Sequence, residues 1–482
     1  MRTLAYEKEK QASQWIKEFV DSAIDGYQNI KETPVFREPS PGSLEKLETM
    51  EIPAEGRPAR EVLDEMIHDV YAPGTSIQHP RCFSCIPSPV SVYSWMGDIL
   101  TNAYDRHAGC WMNAQGAALV ERRLIQWMCG LAGYPKTAGG LFVSGGSMAN
   151  LTALTAARDR CLTKENRARA VAYVSSQTHS SVAKGLRIIG FYPEQIRAIP
   201  TDRLFRMDVL ALQKTIEEDL KNGLLPFAVI ATAGTTNTGS IDPFHEISRI
   251  CREYHMWMHV DGAFGASLLL SKKGRSRLSG IELSDSISWD AHKWLRQTYG
   301  CSMVLVRDVS ALTAAFSAHP EYLKDADDGS VGDNFWDLGP ELTRPARALK
   351  LWLTLQMTGT KSMEEMIDHG CEMAEFTESL LRRSSRWEII SPAQQGIINF
   401  RWVPGQFPSS QWDLLNQQLS QTVNKTGYVQ ILTTELDGKK VLRMCILNPE
   451  TDESDLTNTV RLLNETAEQL SRQTILDRCA SS

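Results

Sequence analysis

Asp285-Ser286-Ile287-Ser288-Trp289-Asp290-Ala291-His292-Lys293-Trp294 is the stretch on which the reading of this chain turns. The run from Ser286 to Trp289 has the length of a short strand, and beyond Asp290 it delivers a histidine and a lysine side by side. A lysine at a buried strand end tends to lose its proton, because burial disfavours the ammonium. That cost becomes useful where a neutral amine must attack a carbonyl. Taken alone, Lys293 reads first as a surface lysine after an edge strand, so the flanking sequence decides.

Working outward, apolar runs predict strands at Gly140–Ser144, Val171–Ser175, Phe227–Ala233, Trp257–Ala263, Ser286–Asp290 and Ser302–Arg307. Most are continuous rather than alternating, as expected of strands covered on both faces. Helical patterns near 148–160, 181–189, 208–221 and 243–255 separate the first four. This alternation predicts an α/β domain with a largely parallel sheet. The short gap between Asp290 and Ser302 leaves little room for a crossover helix, so the last two strands are expected to be antiparallel neighbours.

In such sheets ligands bind beyond the carboxyl ends of the strands, and polar signals collect there. Ser144-Gly145-Gly146-Ser147 precedes an Ala/Leu-rich helix; the glycines permit close approach, Ser147 is placed to cap the helix, and the free N–H groups suit a phosphate. His179, in Ser175-Ser176-Gln177-Thr178-His179-Ser180-Ser181, is placed to stack on a planar ligand, and the serines to cap the next helix. The loop Gly234-Thr235-Thr236-Asn237-Thr238 is rich in hydroxyls. Asp261 ends a buried strand, where a carboxylate is costly unless paired, and a protonated ring nitrogen is a fitting partner. With Lys293 these parts describe a site for pyridoxal phosphate.

Composition excludes other classes. The 482-residue chain is too long for one ordinary core, so two or three subdomains are expected. A net charge of −7 without a basic block gives no footprint for nucleic acid. No apolar run approaches a membrane span and the N-terminus lacks a signal-peptide core. The ten cysteines are mostly isolated, which fits a reducing, cytoplasmic setting. Cys82-Phe83-Ser84-Cys85 has CxxC spacing, but no second pair completes a zinc site, and Pro87 and Pro89 oppose the helix of a redox motif. These thiols are read as ordinary, and no metal is expected.

The chain resembles the group II pyridoxal-phosphate amino-acid decarboxylases, of the aspartate-aminotransferase fold superfamily (fold type I). Ser288-Trp289-Asp290-Ala291-His292-Lys293-Trp294 is similar to their lysine motif, and His259-Val260-Asp261-Gly262-Ala263 to their aspartate motif. Phe142–Arg158, Ser180–Gly190, Gly234–Pro243 and Glu341–Ala346 match tryptophan decarboxylases of gut bacteria in long blocks. The resemblance implies Lys293 as the covalent anchor of the cofactor and Asp261 as partner of its ring nitrogen. It places His179 and Ala263 on the two ring faces, and Gly146, Ser147, Ser288 and His292 among the cofactor-binding residues. Thr235 or Thr236 would lie near the ring edge or the substrate carboxylate. Tyr322, in a polar lid segment, would return a proton to the substrate carbon, and relatives with phenylalanine there tend toward aldehydes. Phe83, Cys85, His107, Asn113, Ala326 and Trp336 would form the side-chain pocket, with Cys85, Asn113 and Ala326 replacing bulkier residues of the tryptophan-selective pattern. Asn113, taken as buried, would seek a hydrogen-bond partner on a hydroxylated aromatic substrate. The implied reaction turns an aromatic L-amino acid into an arylalkylamine and carbon dioxide, in a homodimer with sites between subunits.

The expected organisation is an N-terminal helix and strap over residues 1–80 that packs on a partner subunit, a large cofactor-binding α/β domain over 81–350, and a small α+β domain over 351–482. In the last, helices at Ala346–Met357 and 361–383 precede strands near 398–403, 427–434 and 441–448, with an Asp437-Gly438 hairpin turn. Arg443 on the last strand either faces the site or is paired elsewhere.

Overall fold

The computed structural model describes residues 4–318 and 334–481. Two compact units result. One comprises Ile86–Phe400 with Cys445–Pro449, and the other comprises Met1–Cys85, Arg401–Met444 and Glu450–Ser482. Residues 351–400, grouped by sequence with the C-terminal part, thus belong to the large unit.

The large unit is built on seven strands: β1 (Gly139–Val143), β2 (Ala170–Ser175), β3 (Ile196–Ile199), β4 (Leu225–Thr232), β5 (Trp257–Asp261), β6 (Ser286–Asp290) and β7 (Ser302–Val306). Their order across the sheet is β1-β7-β6-β5-β4-β2-β3. Only β7 runs against the others, antiparallel to both β6 and β1, as the short connection after Asp290 requires. The principal helices are α1 (Val92–Tyr104), α2 (Trp111–Leu131), α3 (Gly146–Cys161), α4 (Ser180–Ile188), α5 (Val209–Lys221), α6 (Phe244–Glu253) and α7 (Ala348–Arg382).

The two-residue period of a strand sends alternate side chains into opposite layers. On β4, Val229 and Ala231 join Leu124 of α2, Leu212 of α5, Ile247 of α6 and Leu351 of α7. Ala228 and Ile230 of the same strand join Ala153 of α3 and Leu186 of α4. The sheet is therefore covered on both faces, which is why its strands read as unbroken apolar runs. The span labelled α7 is two helices meeting at a kink, as the sequence predicts; the break lies at Gly359, whose φ of 74° and ψ of 165° leave helical geometry.

In the other unit, Leu432–Leu436 pairs antiparallel with Lys439–Cys445. The turn residues Asp437 (φ 49°) and Gly438 (φ 69°) both take the left-handed conformation that tight hairpins favour. Helices Leu4–Gln28, Trp412–Asn424 and Glu453–Ser481 belong to this unit.

Candidate active site

At the carboxyl ends of β1, β5 and β6 the large unit holds a cavity of about 300 Å³. Gly146, Ser147, His179, Asp261, Ala263, Thr236, His292 and Lys293 all line it. Sequence reasoning had named every one of them.

β1 ends at Val143 and the chain turns through Ser144 and Gly145 into α3. The helix begins at Gly146, with Gly145 as its cap residue and no side-chain cap bond. Ser147 therefore lies inside the first turn rather than capping it, and the first-turn N–H groups stay available to an anion. Gly146 is required by crowding, since a β-carbon there would lie 2.7 Å from Asp290 Oδ2.

His179 itself caps α4, in place of the serines around it. Its Nδ1 accepts from the Ser181 N–H at 3.2 Å and lies 2.9 Å from Ser181 Oγ. Ser181 Oγ in turn accepts from Asn150 Nδ2 at 3.1 Å, so its hydroxyl donates to Nδ1 and the imidazole keeps its proton on Nε2. The ring stays exposed at the rim.

Asp261, the last residue of β5, is buried but well partnered. Oδ2 accepts from Asn150 Nδ2 at 3.0 Å; Oδ1 accepts from Ser288 Oγ at 3.1 Å and from the Ala263 N–H at 3.2 Å. Behind it, His259 Nε2 donates to Asn150 Oδ1 at 2.9 Å, and His259 Nδ1 bonds Ser286 Oγ at 2.8 Å. Burial lowers the His259 pKa to about 4, so this imidazole is neutral and the carboxylate owes its hold to neutral donors. Ser288 supports Asp261 from the neighbouring strand and does not line the cavity. Asn150 went unassigned in the sequence; the one sign of it was an amide on an otherwise apolar face of α3.

Lys293 follows β6 in the short helix Ala291–Trp294. Its Nζ lies 3.2 Å from Asp290 Oδ2, and Asp290 is almost wholly buried. His292 Nε2 lies 3.7 Å from the same oxygen, and its Nδ1 is 3.2 Å from Ser302 Oγ. Burial lowers the His292 pKa, with Asp290 opposing and Lys293 adding to the effect. The Lys293 carbonyl accepts from the Ser88 N–H at 3.1 Å and the Ser88 hydroxyl at 2.6 Å. Sequence reasoning missed both Asp290 as the lysine's partner and Ser88 as its backbone clasp.

Of the two threonines, Thr236 faces the cavity and Thr235 does not. Thr235 Oγ1 bonds Thr238 Oγ1 at 2.7 Å, and Thr238 Oγ1 bonds Ser240 Oγ at 2.6 Å, so Thr235 belongs to the internal scaffold of its loop. The pocket residues are more dispersed. Trp336 is buried with its ring 5.9 Å from that of His107, and neither lines the cavity. Asn113 is exposed and borders a separate cavity beside Leu100 and Tyr104. In the single chain its amide is therefore not buried and does not face the Lys293 cavity. In the other unit, Phe83 is buried, Cys85 half-buried, and Arg443 donates to the Ser84 carbonyl at 2.9 Å. Tyr322 and Ala326 lie outside the described residues.

A mostly parallel seven-stranded sheet with a strand-end lysine, a supported aspartate and an uncapped glycine-rich helix start defines a fold type I pyridoxal-phosphate enzyme. Residues 41–403 match the family model described as the pyridoxal-dependent decarboxylase conserved domain. The chain is 38% identical over 454 residues to an aromatic-L-amino-acid decarboxylase of Bacillus atrophaeus, covering 94% of each chain. It is 32% identical over 467 residues to a phenylacetaldehyde synthase of Arabidopsis thaliana, again covering 94% of each. The crystal structure of Oryza sativa TDC with PLP and tryptamine superposes with a TM-score of 0.89 at 28% identity, over 96% of this chain and 98% of that one. This protein belongs to the pyridoxal-dependent decarboxylase family, and its cofactor is pyridoxal 5′-phosphate.

The cavity fits that group on its own terms. The unsatisfied first-turn N–H groups of α3 suit a phosphate, and the orientation of Asp261 by three donors leaves a fixed negative charge at the cavity wall.

Proposed function

We propose that this chain decarboxylates an aromatic L-amino acid, such as tryptophan, hydroxylated tryptophan, tyrosine, DOPA or phenylalanine, to the arylalkylamine and carbon dioxide. The observation that carries this reading is the convergence of Lys293, Asp261, His179 and the α3 N-terminus on one cavity. The names of the relatives support the aromatic class.

Bound pyridoxal phosphate supplies a carbonyl that takes up an amine and a ring that accepts the electrons of a broken bond. The residues of the chain do the rest. The α3 N–H groups and His292 hold the phosphate. Asp261 keeps a proton on the ring nitrogen, and Asn150, Ser288 and the Ala263 N–H prevent its carboxylate from turning away. His179, fixed by Ser181, would offer a flat face to the ring, and Ala263 would pack on the other side. Lys293 would be the residue that carries the cofactor and yields it to the substrate amine, with Asp290, 3.2 Å from its Nζ, as its charged neighbour. Thr236, which lines the cavity, would lie near the ring edge or the substrate carboxylate. Tyr322 returns a proton to the substrate carbon and so selects the amine over the aldehyde.

We further infer a cytoplasmic homodimer. Ile99 (52% exposed), Leu100 (51%) and Tyr104 (70%) on α1 present an apolar face that suits a second copy, as does the N-terminal helix with Ile16 exposed. The free state of the described cysteines fits a reducing compartment, and among the described residues no helix is long and apolar enough to cross a membrane.

The test is incubation of the cofactor-loaded protein with all twenty L-amino acids and hydroxylated aromatics, scoring amines, aldehydes and carbon dioxide. An aromatic amine with stoichiometric carbon dioxide is expected; consumption of an acidic or aliphatic amino acid alone would overturn the substrate class. Tyr322→Phe is expected to lower the amine and raise aldehyde and peroxide, and an unchanged product ratio refutes that role.

A further inference from the structure

Cys82 and Cys85 read as ordinary thiols because no helix follows them, yet they share surroundings that ordinary thiols lack. Cys82 is buried and Cys85 is half-buried. Ser84 Oγ lies 3.4 Å from Cys82 Sγ and 3.5 Å from Cys85 Sγ, so one hydroxyl bridges the two thiols. Gln430 Oε1 completes the cluster, 3.2 Å from Ser84 Oγ and 3.8 Å from Cys82 Sγ. The Arg443 guanidinium, tied to the Ser84 carbonyl, places positive charge near Cys85. Two thiols of unequal exposure, bridged by one hydroxyl and flanked by a cation, suit an attacking and a resolving partner.

We propose that Cys82-Phe83-Ser84-Cys85 is a thiol–disulfide exchange site for low-molecular-weight disulfides, with Cys85 attacking and Cys82 resolving. In the first step the Cys85 thiolate forms a bond to one sulfur of the disulfide and expels the other half as a thiolate. In the second, Cys82 loses its proton and attacks the Cys85 sulfur, expelling the remaining half. Two protein thiols are oxidised to one disulfide, and the small disulfide is reduced to two thiols, which carry the two protons.

The division of roles agrees with the chemistry of the pair. The interaction with Cys82 holds the Cys85 thiol down to about 6, and that same interaction, with burial, drives Cys82 far upward. The other half-buried cysteines among the described residues, Cys161 and Cys371, are pushed up by burial to about 11 and about 12. At neutral pH Cys85 thus has a roughly 10,000-fold larger thiolate fraction than Cys161. The lower nucleophilicity of a less basic thiolate returns part of that, leaving an advantage of between about 30- and 100-fold.

The site also has reach. Ile86 and Pro87 separate Cys85 from Ser88, whose N–H and hydroxyl clasp the Lys293 carbonyl. Closing the disulfide constrains the chain that leads into that clasp.

The full chain is incubated at pH 7 with oxidised glutathione, quenched at intervals, alkylated after denaturation and mapped by mass spectrometry. An internal Cys82–Cys85 disulfide is expected, appearing about 30- to 100-fold faster than modification of Cys161 and faster still than that of Cys371. In Cys82→Ser the glutathione should remain on Cys85 as a mixed disulfide. Modification of Cys85 no faster than of Cys161 and Cys371, or a wild-type chain that stops at the mixed disulfide, overturns the proposal. The wild-type arm answers the question even if the variant does not fold. A final readout rests on the proposed function: turnover of the oxidised protein should fall and return with dithiothreitol. Unchanged turnover in fully oxidised protein overturns the link to Lys293 while leaving the exchange chemistry standing.

Discussion

Replacing Asn150 with leucine tests whether Asp261 owes its posture to the network behind it. Leucine nearly matches the amide in size but removes three bonds, to Asp261 at 3.0 Å, Ser181 at 3.1 Å and His259 at 2.9 Å. Ser181 keeps its bond to His179, so that loss counts for little. The His259 Nε2–H is left unpaired in a fully buried site, at about 1–3 kcal/mol. Asp261 loses one charge-assisted bond, about 1.5–3 kcal/mol. The sum, about 3–6 kcal/mol, should appear as a lower unfolding midpoint of the cofactor-free protein. If the Asp261 share reflects how firmly the carboxylate faces the ring nitrogen, cofactor affinity should fall about 10- to 100-fold. Titration of the apoprotein with pyridoxal phosphate, followed by absorbance, measures this directly. A folded Asn150→Leu protein that binds the cofactor like wild type would show that Asp261 stands unaided, and the reasoning would fail.

Further expectations concern other parts of the large unit. Gly146→Ala places a β-carbon 2.7 Å from Asp290 Oδ2, an overpacking worth about 1–3 kcal/mol; the chain should fold while pyridoxal-phosphate affinity drops about tenfold or more, and an unaltered dissociation constant counts against the crowding. Glu121→Ala strands Arg344, which is fully buried with its NH2 2.7 Å from Glu121 Oε1, so a loss of about 3–5 kcal/mol is expected in chemical denaturation. His259 should stay neutral down to about pH 4, which an NMR titration of its ring nitrogens can verify. Because its folded pKa lies below the unfolded value of about 6.5, the unfolded chain takes up the proton first. Its contribution to stability is thus complete above that value and is lost as pH falls toward 4, by up to about 3 kcal/mol. Asp242 works against this trend: burial raises its pKa to about 6, so its contribution is present at low pH and is lost as pH rises from about 4 to 6.

The sheet was legible wherever burial on both faces forced an unbroken apolar run. β3 escaped notice because Ile196-Arg197-Ala198-Ile199 is a short edge strand that carries an arginine. Trp387–Gln394 was missed for a related reason: it is mostly half-buried and contains Pro392. At the site, the residues that line the cavity were readable because their chemistry is rare at strand ends. The residues that position them were not, since an asparagine or serine acquires such a role only from neighbours distant in sequence. Asn150 meets Asp261 and His259 in this way, and Ser88 meets Lys293. Adjacent loop residues posed a separate difficulty. Thr235 and Thr236 are chemically equivalent on paper, and only the turn of the backbone decides which hydroxyl faces inward.

The single reversed strand has a consequence for how the protein assembles. β7 lies between β1, which leads into the glycine-rich helix start, and β6, which delivers the lysine. The register Gly139↔Val306 through Val143↔Ser302 joins segments far apart along the chain. The glycine-rich helix start and Lys293 are therefore brought face to face only after that distant closure, which is among the entropically slower events available to a folding chain. A half-made sheet can hold either element, but not the two together. Recovery of pyridoxal-phosphate absorbance during refolding should accordingly lag behind the return of helical signal, making the cofactor a reporter of the last long-range join.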